Sequence, residues 1–184
     1  MLLREQVTSV DTVTFLHKLK QLDFGPLAHI LMCYGWSYVQ ISHAIARYTL
    51  FLLLMHLYPN ANLVPTWEID QVWHHHILDT SKYMADCHTL FGRYMHHFPH
   101  AGERDERDHQ QLLLSFDQTQ HLFEHHFGMA LADNVPFNGG ESVEIALSQG
   151  ATGCHLKQPG PTRRPRINVD LQWPIDSLMS SFSG

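Results

Sequence analysis

Histidine dominates the chemistry this chain can offer. It holds 16 histidines in 184 residues, and eleven of them fall between Trp67 and His126. His74, His75 and His76 are consecutive, within Asp70-Gln-Val-Trp73-His-His-His76-Ile-Leu-Asp79. Imidazole is the commonest metal ligand and titrates near neutral pH. Nitrogen-rich sites with one or two carboxylates suit zinc, iron, copper or nickel. Two imidazoles and one carboxylate would leave coordination positions open for a reactant.

Spacing separates the histidines into roles. Asp70 and His74 stand four apart on a predicted helix, so their side chains are neighbours. That pair is either a surface ion pair or two ligands for one cation. His76 falls on the apolar stripe of Ile69, Val72 and Trp73, which continues through Tyr83, Cys87, Leu90, Phe91 and Tyr94. A buried imidazole there needs a carbonyl, a carboxylate or a metal. On a straight helix His74 and His76 cannot easily share one ion. His97 and His100 end the next predicted segment. The ligand candidates are therefore Asp70, His74, His76, His97 and His100, with Trp73, Tyr83, Asp86, Cys87 and His109 as supporting residues. Asp117, His121 and His125 form a further ladder on the last helix, opposite its apolar face, and read as a solvated stripe. No catalytic residue is assigned. GxSxG, P-loop, GxGxxG and HExxH motifs are absent, and Cys87 has no local signature of a nucleophile.

The elements that must carry these residues are helical. Periodicity and capping residues predict helices over 11–22, 27–34, 37–57, 66–78, 82–97 and 108–127. Residues 37–57 are apolar on most sides, as expected of a helix surrounded by others. The expected architecture is all-α: a single helical bundle domain of five or six helices over 1–133, then an irregular tail over 134–184. In that tail Ser142–Leu147 suggests a short helix and Ile167–Leu171 a short strand.

Composition narrows the function. A formal charge of −6 argues against nucleic acid as a partner, because phosphate binding needs a basic surface. The longest apolar run, Tyr48 to Tyr58, is too short to span a bilayer. The first residues lack the pattern of a signal peptide, and the three cysteines form no CxxC pair. The expectation is a cytoplasmic protein.

Asp70-x-x-Trp73-His74-x-His76-x-Leu78, followed by Tyr83-x-x-Asp86-Cys87 and Gly92, resembles the signature of the glycine-rich domain-containing protein-like family. The resemblance covers residues 45–128, with Pro65 and Phe91-Gly92 also fitting. It implies a helical domain with Asp70, Trp73, His74, His76, Tyr83, Asp86 and Cys87 at motif positions, and it implies little about activity. The glycine-rich regions of long plant members are missing here.

Three functions are consistent with the sequence. The leading expectation is a metal-binding protein, an enzyme that uses zinc, iron or copper on a small molecule or peptide. The first alternative is a non-catalytic structural or interaction module in which Trp-His-x-His is a packing element, with Arg163-Arg-Pro-Arg166 of the tail docked on a partner. The second is metal storage or sensing over scattered histidines.

Overall fold

The computed structural model describes residues 8–132 and 164–169. Its described elements are six helices in the order α1 (Ser9–Lys20), α2 (Gly25–Cys33), α3 (Tyr38–Leu57), α4 (Trp67–Leu78), α5 (Thr80–Phe91) and α6 (Glu106–Phe127). The all-α expectation is met. No described helix is long and apolar enough to cross a membrane.

α3 is the axis of the bundle, and α1, α2, α4 and α6 all pack on it. Its sequence explains that place. Ser37 and Gln40 form a capping box, and Ile41, Ala44, Ile45, Tyr48, Phe51, Leu53 and Leu54 are all buried. α4 lies against both α2 and α3, and burying Ile69, Val72, Trp73 and His76 on that face fixes which way the rest of α4 points. α5 then folds back on α4 and continues the stripe with Tyr83, Cys87 and Leu90.

Several boundaries differ from the sequence expectation. α1 starts at Ser9, two residues before the expected 11, because Thr8 and Asp11 form its capping box. α5 stops at Phe91 instead of reaching His97. Gly92 takes φ 67° and its N–H donates to the His88 carbonyl at 3.1 Å, a left-handed helix stop. His97 therefore sits on a loop, free of the helix register. In α6 the buried seam is Ser115, Thr119 and Phe123, while Leu112, Phe116 and Phe127 are half-buried and His109 is exposed. Thr119 explains a polar residue there: its hydroxyl accepts from the Val64 N–H at 2.9 Å. Residues 164–169 form no strand, although Ile167 N–H donates to the Gly25 carbonyl at 3.0 Å. The Ser142–Leu147 expectation falls outside the described residues, as does Cys154. Cys33 and Cys87 are free thiols.

Candidate metal centre

The Trp-His-x-His motif divides into two halves that face different ways. Trp73 and His76 point into the core, and each finds a protein partner. Trp73 Nε1 donates to the Tyr83 hydroxyl at 2.9 Å, and that hydroxyl donates to the Met95 carbonyl at 2.6 Å. This chain ties α4 and α5 to the loop after Gly92. His76 is 3% exposed and uses both ring nitrogens. Nδ1 meets the Tyr48 hydroxyl at 2.9 Å, and Nε2 meets Asp86 Oδ2 at 2.9 Å. Lys82 Nζ donates to the same carboxylate oxygen at 2.6 Å. Desolvation pushes the Asp86 carboxyl up, but the hydrogen bonds from His76 and Lys82 outweigh it and leave its pKa below the ordinary value. His76 is thus a hydrogen-bonded core histidine, with no ring nitrogen left for an ion.

Asp70 and His74 occupy the other side of α4, one turn apart, and His97 comes down on them from the loop. His74 Nε2 and His97 Nε2 are 2.8 Å apart, a hydrogen bond that requires one of the two nitrogens to be unprotonated. Asp70 approaches both rings, with Oδ2 3.5 Å from His74 Nδ1 and Oδ1 3.5 Å from His97 Nε2. One donor atom from each of Asp70, His74 and His97 lies within 4.8 Å of the other two. Donors around one tetrahedral ion sit roughly 3.3 Å apart, so small side-chain rotations separate this arrangement from a coordination shell. Among the described residues this is the one group of three such side chains so placed.

Packing holds His97 where it is. Its ring lies against Trp73, with centroids 4.6 Å apart, and meets the His74 ring edge-on at 4.7 Å. Burial is the main influence on its pKa, which is lowered despite the attraction of Asp70. A neutral imidazole is the form that ligates metals. His97 and Trp73 also form part of the wall of a cavity of about 490 Å³, together with Phe51, Met55, Met95, Arg104 and Asp108. That volume is in the range of small-molecule sites.

The remaining sequence candidates lie elsewhere. His100 is exposed and pairs with Glu103 at 3.0 Å. Asp117 and His121 are exposed and 3.6 Å apart. His126 Nε2 is 2.7 Å from the Tyr58 hydroxyl. Cys87 is buried, and desolvation raises its pKa, so it stays a thiol, unsuited to act as a nucleophile. Tyr48 and Lys82 were not among the sequence candidates, although both complete the His76 network. The four-residue spacing of Lys82 and Asp86 was a usable signal for the second. Nothing local links Tyr48 to His76.

These features define a class: a helical bundle whose α4–α5 hairpin presents a histidine–carboxylate cluster beside a cavity. Residues 30–86 match the family profile described as glycine-rich domain-containing protein-like. It is also similar to Glycine-rich domain-containing protein 1 of Arabidopsis thaliana, 30% identical over 128 residues, which is 67% of this chain and 15% of that protein. The chain thus spans less than a fifth of the relative's length. No solved structure matches it. Asp70, Trp73, His74, His76, Tyr83 and Asp86 fall inside the matched segment, whereas His97 lies eleven residues beyond it.

Proposed function

We propose that Asp70, His74 and His97 hold one transition-metal ion, zinc, iron or copper, and that the neighbouring cavity admits a small molecule or peptide to it. The observation that carries this reading is the convergence of the three donors within 4.8 Å from two separate elements. Two nitrogens and one oxygen complete neither a tetrahedral nor an octahedral shell, so such an ion keeps positions for water or a reactant. In that state the ion would polarise a bound oxygen or lower the pKa of a bound water. The chain's own part is to fix the ligands: α4 supplies Asp70 and His74 at one-turn spacing, and Trp73 buttresses His97.

The test is metal analysis of protein purified without an affinity tag, alongside Asp70→Asn, His74→Ala and His97→Ala. One equivalent of metal in the wild type, lost in each variant, is the expected result. Metal content below about a tenth of an equivalent after saturation and desalting, or content indifferent to the variants, overturns it.

A structural reading also has specific support, but for the other half of the motif. Trp73, His76, Tyr83 and Asp86 are paired to one another or to the protein, as a packed helix junction requires. The two readings assign different residues of one motif and coexist. Storage over scattered histidines has less behind it, since His121, His125 and His126 join no third donor among the described residues.

A further inference from the structure

Residues 164–169 lie in a groove bounded by the α1–α2 turn and the α4–α5 junction. Four separate contacts hold them. Arg164 grips Asp79 through both ends of its guanidinium, Nε to Oδ2 at 2.5 Å and Nη2 to Oδ1 at 2.8 Å, and Nη2 also donates to the Ser81 hydroxyl at 2.8 Å. Arg166 faces Asp23 at 3.4 Å. Ile167 N–H donates to the Gly25 carbonyl at 3.0 Å, and the Tyr38 hydroxyl donates to the Asn168 carbonyl at 3.3 Å. Ile167 and Val169 pack on the edge of the core, while Pro165 and Asn168 are exposed. Arg164, Ile167 and Val169 are thus partly covered while Arg166 stays exposed at 64%, as in a peptide laid along a surface and held at selected positions.

The receiving side is shaped for this contact. Asp79 caps α5 by accepting from the Lys82 N–H at 3.4 Å, which holds its carboxylate in place for the guanidinium. Gly25 has no side chain where the segment passes. A Cβ there would stand 2.9 Å from the Ile167 carbonyl oxygen and 3.1 Å from Arg166 Cβ. The first is too close and is backbone that cannot swing away; the second is tight and would have to give by a few tenths of an ångström. A fork for arginine, a second carboxylate two positions along, a bare backbone rung and two apolar rests make a recognition surface with its own sequence preference.

We propose that this groove is a binding site for extended basic peptides of the form Arg-x-Arg-apolar-x-apolar, and that residues 164–169 are its ligand in cis. The site is independent of the metal proposal, because none of its residues belongs to the Asp70–His74–His97 cluster.

The test uses the full chain. An Arg164→Ala chain, labelled with ¹⁵N, is titrated to millimolar concentration with a peptide copying residues 163–170, while the amide signals of Gly25 and Ser81 are followed. Those signals should start displaced from their wild-type positions and return toward them as peptide is added. Adding Asp79→Asn to the same chain should weaken the peptide roughly tenfold or more, as should replacing the peptide's Arg164 equivalent by lysine, which cannot grip bidentately. Wild-type chain should respond at least about tenfold more weakly, because its own segment competes. No return of the signals at millimolar peptide, or an equal response with Asp79→Asn, overturns the proposal. Unchanged signals from the buried stretch Ala44–Leu54 of α3 in every variant show that the fold is intact.

Discussion

At the scale of single residues, one motif is asked to do two different things. His76 and Asp86 are buried partners, and Lys82 shares the same carboxylate. Removing the carboxylate by Asp86→Ala strands a lysine and an imidazole in the interior. Breaking a buried pair in this way costs about 3–5 kcal/mol. Urea unfolding should show a loss of that size, while the metal stoichiometry of the folded fraction stays at the wild-type value. His74→Ala should show the reverse pattern, with stability within about 1 kcal/mol of wild type, because the His74 side chain is 37% exposed and its contacts are to Asp70 and His97. If His74→Ala unfolds the protein and Asp86→Ala does not, the division of the motif is wrong. Helical spacing alone makes the faces of these residues legible: Ile69, Val72, Trp73 and His76 share a side, and Asp70 and His74 share another. It left open which face held the cluster, because Tyr48, on α3, is the group that satisfies His76 Nδ1, and a partner 28 residues away leaves no local trace.

At the scale of elements, the site depends on where α5 stops. A helix that ran on to His97 would have carried its ring along the α5 axis. Gly92 ends it five residues earlier, and the Tyr83–Met95 hydrogen bond turns the loop back toward α4. The apolar stripe through Leu90, Phe91 and Tyr94 hid this break, since Phe91 and Tyr94 do pack on the core, though from different backbone conformations. A glycine followed by Arg93 was the available signal. Gly92→Ala would meet no atom within 4 Å, so its cost is conformational alone, about 1–2 kcal/mol for a left-handed residue with a Cβ. Thermal unfolding should register it. Gly92→Asn should cost less, since asparagine tolerates that region. On α6, Thr119→Val should cost about 1–3 kcal/mol by leaving the Val64 N–H without its acceptor, measured the same way.

At the scale of the whole molecule, the six helices and their order were legible because each core helix repeats its apolar residues at helical spacing. The docked segment 164–169 was not, because four of its contacts reach across more than 80 residues and depend on geometry rather than periodicity. Its attachment should respond to pH. The hydrogen bond from Arg164 is the main cause holding Asp79 below the ordinary carboxylate value. A carboxyl whose pKa is lowered by the contact stabilises it fully above the free value, about pH 4, and loses that contribution as pH falls through the lowered value. The ¹⁵N signals of Gly25 and Ser81 should therefore hold steady from neutral pH down to about pH 4 and move below it. Movement between about pH 5 and 7 instead would point to a histidine and not to Asp79.

The central claim is that Asp70, His74 and His97 surround one ion. Anomalous diffraction from untagged crystals grown without chelator and soaked in zinc tests it most directly. One peak is expected, about 2.0–2.2 Å from a nitrogen of His74, a nitrogen of His97 and an oxygen of Asp70. No peak there, or a peak at Asp117 and His121 in its place, would contradict the account.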